Sequence, residues 1–183
     1  MMHKSNVIIS LACTAGLFLA QDAWPNAAAM VAAQATARVV EILSVTGEEP
    51  LNFGFVEPSP QDGTVTVSPD NARSVTGGVQ ATDEFGRAAF AVRGTPGHSY
   101  TIHAPPSVTF SAKEHNSDAS ESLARELTVT DFITYSVNTG TTAATGKLGQ
   151  NGEDRIYLGG TLIVPANAAP GVYSGWVPLT VSY

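Results

Sequence analysis

The chain has 183 residues, enough for one domain with its own core. Only 14% are charged and the formal net charge is −7. That balance, with Lys and Arg scattered rather than striped, repels phosphate backbones and sets nucleic acid aside as a partner. The lone cysteine, Cys13, excludes an internal disulfide framework.

The first thirty-odd residues read as a secretory signal. Lys4 marks the n-region, Val7 to Ala20 is apolar, and small-residue sites follow at Ala27-Ala28-Ala29, Ala33-Gln34-Ala35 and Ala35-Thr36-Ala37. The apolar run falls short of the roughly 20 residues that a spanning helix needs, and no later segment could span. A buried N-terminal helix is the alternative, although Trp24-Pro25 argues against its continuation. Ser10-Leu11-Ala12-Cys13 is a poor lipoprotein signal, with Ser where Leu is wanted. Signal removal would take Cys13 with it, and with it thiol catalysis and Cys-ligated zinc. The expected division is a signal peptide over 1–29, with cleavage as late as 37, an N-terminal extension or first strand over 30–47, and a β-sandwich over 48–183. The expected location is the periplasm, the cell surface or the extracellular space.

Beyond the signal the pattern is period-two alternation punctuated by turns. Arg38 to Val45 is a strand candidate. Leu51 to Val56 is another, with Leu51, Phe53 and Phe55 on one face. Gly63 to Ser68 alternates Thr with Val until a Pro-Asp-Asn turn. Ala88 to Val92 and Ser99 to His103, separated by Gly94-Thr95-Pro96-Gly97, predict a hairpin. Ser107 to Ala112 is a short strand before a polar loop, Lys113 to Glu126, with a turn of helix around Ser120 to Glu126. Leu127 to Val137 is the longest strand candidate. Asn138 to Asn151 is Gly/Thr-rich and reads as a flexible loop. Arg155 to Val164 resumes the sheet, with Gly159-Gly160 marking a bulge or bend. In the last segment Gly171, Tyr173, Gly175, Val177, Leu179, Val181 and Tyr183 share one face, and Trp176 and Pro178 fall on the other. Eight or nine such strands argue for an all-β, Greek-key sandwich, with a closed barrel as the alternative.

The catalytic search is negative, so no catalytic residue, metal ligand or cofactor is expected. Gly140 to Lys147 has the wrong spacing for a phosphate loop, and Leu148 stands where Ser or Thr should hold magnesium. His98 and His103 lie five apart, on opposite faces of a regular strand. His115 sits in a polar loop. Glu48-Glu49, Asp83-Glu84 and Glu153-Asp154 adjoin turns and read as solvated. Asp62, Asp70 and Asp154 lack calcium-loop spacing. Trp176 is either covered by a loop or available to a sugar.

The more specific signal is topological. Pro178 has no N–H to donate, so the last strand belongs at an edge or bulge. An apolar alternating edge invites a second chain. The candidate donor is the alternation Val31, Ala33, Ala35, Ala37, Val39; the same residues otherwise belong to the signal or an ordinary first strand.

Several segments resemble one family: Leu51-Asn52-Phe53-Gly54; Gly63 to Val67; Phe90 to Thr101; Gly159 to Asn167; Gly171-Val172-Tyr173-Ser174-Gly175; and Thr180-Val181-Ser182-Tyr183. They are similar to secreted bacterial domains of unknown function, numbered four thousand four hundred and two, over about residues 39 to 183. That family in turn resembles spore-coat-U-type subunits of archaic chaperone–usher pili. The resemblance implies an immunoglobulin-like sandwich, incomplete and complemented by a donor strand. It also implies a periplasmic or surface location and no catalytic residues. This chain lacks the disulfide common among those subunits, and its tail alternates Ala and Thr less regularly. The expected function is a non-catalytic subunit of a surface fibre, pilus or coat. Its expected partners are itself, other fibre subunits and a periplasmic chaperone, with the groove beside Gly171 to Tyr183 and the donor at Met30 to Val40. The rival is a self-contained secreted adhesin-like module that binds glycan or matrix through its loops.

Overall fold

Thr–Val alternation does what a pleated strand requires of it. In Gly63–Val67, Val65 and Val67 are fully buried while Thr64 and Thr66 face outward at intermediate exposure. The computed structural model describes residues 41–112 and 123–183, with Gln34, Thr36 and Ala37, and every described strand lies in the compact unit Val39–Tyr183. In chain order these are β1 (Ser44–Glu49), β2 (Phe55–Glu57), β3 (Gly63–Val67), β4 (Arg73–Val75), β5 (Gln80–Thr82), β6 (Ala88–Arg93) and β7 (Ser99–His103). They continue as β8 (Ser107–Ala112), β9 (Glu126–Ser136), β10 (Thr141–Thr142), β11 (Thr145–Lys147), β12 (Glu153–Val164), β13 (Tyr173–Ser174) and β14 (Thr180–Ser182). No helix occurs among the described residues.

The trunk is β12. One edge of it pairs with β9 along almost its whole length. The other edge changes partner midway: Glu153 to Leu158 pair with β6, and Gly160 to Val164 pair with β3. The large sheet therefore runs β1-β6-β12-β9-β8-β13, with β3 and β4 branching from the far half of β12. Gly159 sits at the branch, where the β9 register also slips. A Cβ there would lie 2.4 Å from the Val67 carbonyl oxygen and 2.9 Å from Pro69 Cδ. The bend expected at Gly159-Gly160 is thus a fork that a side chain would close.

Two small sheets cover the large one, each over its own core. β11-β7-β14 closes a core of Val92, Tyr100, Ile102, Leu148 and Ile156. β2-β5 covers the other, which includes Phe53, Val65, Phe110, Leu127, Leu162 and Val164. The result is an all-β sandwich with open sheet edges, not a closed barrel.

Several expectations need correction. β6 and β7 are not a hairpin, because β6 pairs with β1 and β12 whereas β7 pairs with β11 and β14. Gly94 to Gly97 form an arch between layers, so that Val92 faces Tyr100 and Ile102 across a core. The Asn138–Asn151 segment is ordered rather than a loose loop. β10 folds back on β9, β11 pairs with β7, and Leu148 is anchored at 1% exposure. The first strand starts only at Ser44; Glu41 to Leu43 are not in a ladder, and Arg38 to Val40 lie outside the described residues. A domain boundary at 48 would cut β1. The predicted helical turn is absent from 123–126, where Ala124 bridges Ala168 and β9 begins; 113–122 lie outside the described residues.

The C-terminal segment is two strands in two sheets, not one. β13 pairs with β8, and β14 pairs with β7. Between them Pro178 has no N–H for a ladder, and the chain crosses from one layer to the other. The inward phase survives the crossing: Val177 packs on the first core, Leu179 and Val181 on the second.

Replacing Gly159 with Ala should cost about 1–3 kcal/mol, because its close neighbours include backbone that must shift. Gly86→Ala, where nothing lies within 4 Å of the added Cβ, should change stability little. Urea unfolding of both variants reads the difference, and equal midpoints would overturn the fork argument.

Candidate functional site

Gly54 decides the shape of the region that follows β1. Its φ of +85° is left-handed, and a Cβ would lie 2.4 Å from the Thr82 carbonyl oxygen. That kink breaks the alternation expected for Leu51–Val56. Phe53 is buried, but Val56, not Phe55, returns to the core, and Phe55 is 57% exposed. Asn52 fastens the kink, donating from Nδ2 to the Glu84 carbonyl and accepting from Gly54 N at 3.0 Å.

Beyond this kink β2 pairs only with β5. Its residues line an apolar groove of about 540 Å³. Leu51 to Pro58 form one wall and Ala168 to Tyr173 the other. Phe110, Leu127, Leu162 and Val164 make the floor. The far wall is held by the Tyr173 hydroxyl, whose one proton is shared between the Ala169 carbonyl at 2.6 Å and the Ala124 carbonyl at 3.0 Å, and by Ala169 N, which donates to Ala124 O. Burial pushes the Tyr173 hydroxyl above its ordinary pKa. Two exposed side chains, Phe55 and Val172, stand on the rim. The lining is mainly apolar, with Asn52, Glu57 and Tyr173 among it.

The opposite end of the sandwich carries a buried polar hub. Asp154 accepts from Tyr100 Oη at 2.7 Å, Ser136 Oγ at 2.5 Å, Asn138 N at 3.0 Å and Arg155 N at 2.7 Å. It is 6% exposed, not the solvated turn carboxylate expected from Glu153-Asp154. Burial, then the hydrogen bond to Asp154, raises the Tyr100 hydroxyl well above its ordinary value of 10.0. Every lone-pair direction is used by the fold itself, so this is a tie between layers rather than a reactive centre.

Of the face expected to line a partner groove, only Gly171 and Tyr173 border the apolar groove. Val177 is core, Leu179 and Val181 belong to the other core, and Gly175 packs against Phe110. The Tyr183 hydroxyl accepts from Thr95 N at 2.6 Å. Among the candidate donor residues Val31, Ala33, Ala35 and Val39 lie outside the described residues, and Ala37 is exposed. Trp176 is 92% exposed, so no loop among the described residues covers it. His98 lies 3.5 Å from Glu41, and His103 lies 3.4 Å from Ser182 Oγ. Among the described residues no cluster of His, Cys, Asp or Glu could hold a metal ion, and no helix is long and apolar enough to cross a membrane. The Leu51–Pro58 wall was missed in the sequence, although Gly54 within an alternating run was a signal for it.

The fold and groove define the class: an all-β sandwich domain with an open apolar cleft. A family model described as a domain of unknown function, DUF4402, matches residues 43–183, and the chain belongs to that family. No curated protein and no solved structure matched the chain.

Asp154→Asn should destabilise the domain by about 2–3 kcal/mol, since an amide cannot accept from all these donors. Tyr100 gives the hub a pH signature. Its folded pKa is raised, so its contribution is complete below the unfolded value near 10.0 and is lost as pH rises beyond it. Denaturation midpoints should fall more steeply above pH 10 in the wild type than in Tyr100→Phe. Parallel curves would rule the linkage out.

Proposed function

We propose that the protein is a non-catalytic structural subunit of a bacterial surface fibre, pilus or coat, assembled by donor-strand pairing. The observation that carries this reading is the groove: an unpaired strand edge beside an apolar floor. A strand laid there would gain ladder hydrogen bonds from β2 and bury alternate side chains below it. The occupant is the N-terminal segment of a second copy, with Val31, Ala33, Ala35, Ala37 and Val39 facing down. Extended, Val31 to Val39 spans about 26 Å, longer than the three-residue β2 it would pair with. A periplasmic chaperone would fill the groove before assembly. The signal-like N-terminus and the resemblance to spore-coat-U-type subunits support export and this mode of assembly.

One observation favours the competing reading of a self-contained secreted adhesin-like module. Trp176, at 92% exposure, is available to stack on a glycan.

The test uses the chain with its own tail disabled by Val31→Asp, Ala35→Asp and Val39→Asp. Adding a peptide of residues 30–40 should raise its stability with concentration, by about 2.7 kcal/mol at a hundredfold excess over Kd. The same peptide carrying the Asp substitutions should do nothing. An unchanged unfolding midpoint with the native peptide would overturn strand assembly. Glycan binding lost in Trp176→Ala would then establish the alternative.

A further inference from the structure

The groove depends on where β2 sits, and apart from Val56 on the core β2 has little to hold it there. It belongs to a two-stranded sheet, a unit that is marginal when isolated. Its only strand neighbour is β5, so its polar restraint must come from elsewhere.

That restraint converges on one side chain. Arg73 lies on β4, part of the large sheet, and reaches across to the covering layer. Its Nη1 donates to the carbonyls of Phe53 at 3.2 Å, Thr82 at 3.0 Å and Asp83 at 3.4 Å. Its Nη2 donates to Ala81 O at 2.7 Å. The guanidinium also lies 4.5 Å from the centroid of the Phe85 ring. These acceptors belong to both arms of the covering layer, the Leu51–Glu57 wall and the Gln80–Phe85 strand and turn. Gly54 makes the approach possible, since a Cβ there would lie 2.6 Å from Nη1.

The geometry points to Arg73 as the positioning residue of the groove, holding the β2 wall in its open, strand-accepting place before any occupant arrives. The inference rests on the reading of the groove as a donor-strand site. Preorganisation of this kind raises affinity by reducing the ordering that binding must impose. Lys cannot substitute. Its single ammonium keeps the charge but lacks the planar fork that serves carbonyls on two segments at once.

In the tail-disabled chain, Arg73→Lys should weaken binding of the 30–40 peptide at least tenfold. Amide exchange should quicken at Leu51 to Glu57 while β9 and β12 stay protected. Phe85→Leu, which removes the stacked ring but keeps an apolar side chain on the first core, should move both readouts in the same direction by less. It keeps the question answerable if Arg73→Lys does not fold. Arg87→Lys is the control: Arg87 also caps a carbonyl, that of Pro69, and stacks on Tyr157, and neither contact is with the Leu51–Glu57 wall. It should lower stability without changing peptide affinity. Wild-type affinity in folded Arg73→Lys and Phe85→Leu, or exchange that quickens everywhere alike, would overturn the positioning role. If the parent chain fails to bind the peptide, the donor-strand reading falls, and the exchange pattern alone decides whether Arg73 holds the wall.

Discussion

The structure depends on β12 serving two partners along one edge. A strand edge presents a fixed row of donors and acceptors, so a change of neighbour from β6 to β3 forces the two neighbours apart at one point. Gly159 occupies that point because the Val67 carbonyl and Pro69 leave no room for a Cβ. Once the fork exists, the inner face of the large sheet is divided between two cores. No single covering sheet then spans both; each core has its own small lid.

The lids are unequal. At the β6 end three strands close the core, and Asp154 ties β7 to β9 and β12 through Tyr100 and Ser136. A buried carboxylate contributes to order only when its acceptors are filled, and here they are. At the β3 end two short strands serve as lid, with Arg73 as their main polar anchor and the groove left open beside them. The open edge is not unguarded. Glu57 and Pro58 stand at its end, a charge and a residue without an N–H, both of which discourage indiscriminate pairing.

Much of this was legible in the sequence because it is periodic. β3, β8, β9 and β12 declare themselves by Thr–Val or apolar alternation, and family membership over 43–183 agrees with the motifs that carried the resemblance. What was not legible depends on partners distant in sequence. Nothing local distinguishes a Gly-Thr-Pro-Gly hairpin from an arch; the difference is whether Val92 and Tyr100 share a face or oppose each other. β4 and β5 are too short to show a period and exist because β3 and the Phe55–Glu57 segment pair with them. Asp154 looked solvated because its partners come from 16 and 54 residues away. Of the seven residues singled out in the C-terminal segment, Gly171 and Tyr173 line the candidate groove. The other wall was hidden by Gly54, whose positive φ exchanges the roles of Phe55 and Val56.

The C-terminal segment joins the open and the closed ends of the sandwich. β13 belongs to the sheet under the groove, and β14 belongs to the closed lid. Between them Val177 still packs on the first core, so the segment ties the open end to the closed one without filling the groove. Pro178 makes this crossing possible by removing the donor that would otherwise hold the strand in one ladder. Had the segment continued in register with β8 as a single strand, β7 would have lost the partner that closes its own core. The same alternation that suggested one long edge strand is therefore divided between two tasks. Among the strand edges left unpaired, the one at β2 belongs to a strand that lines the groove.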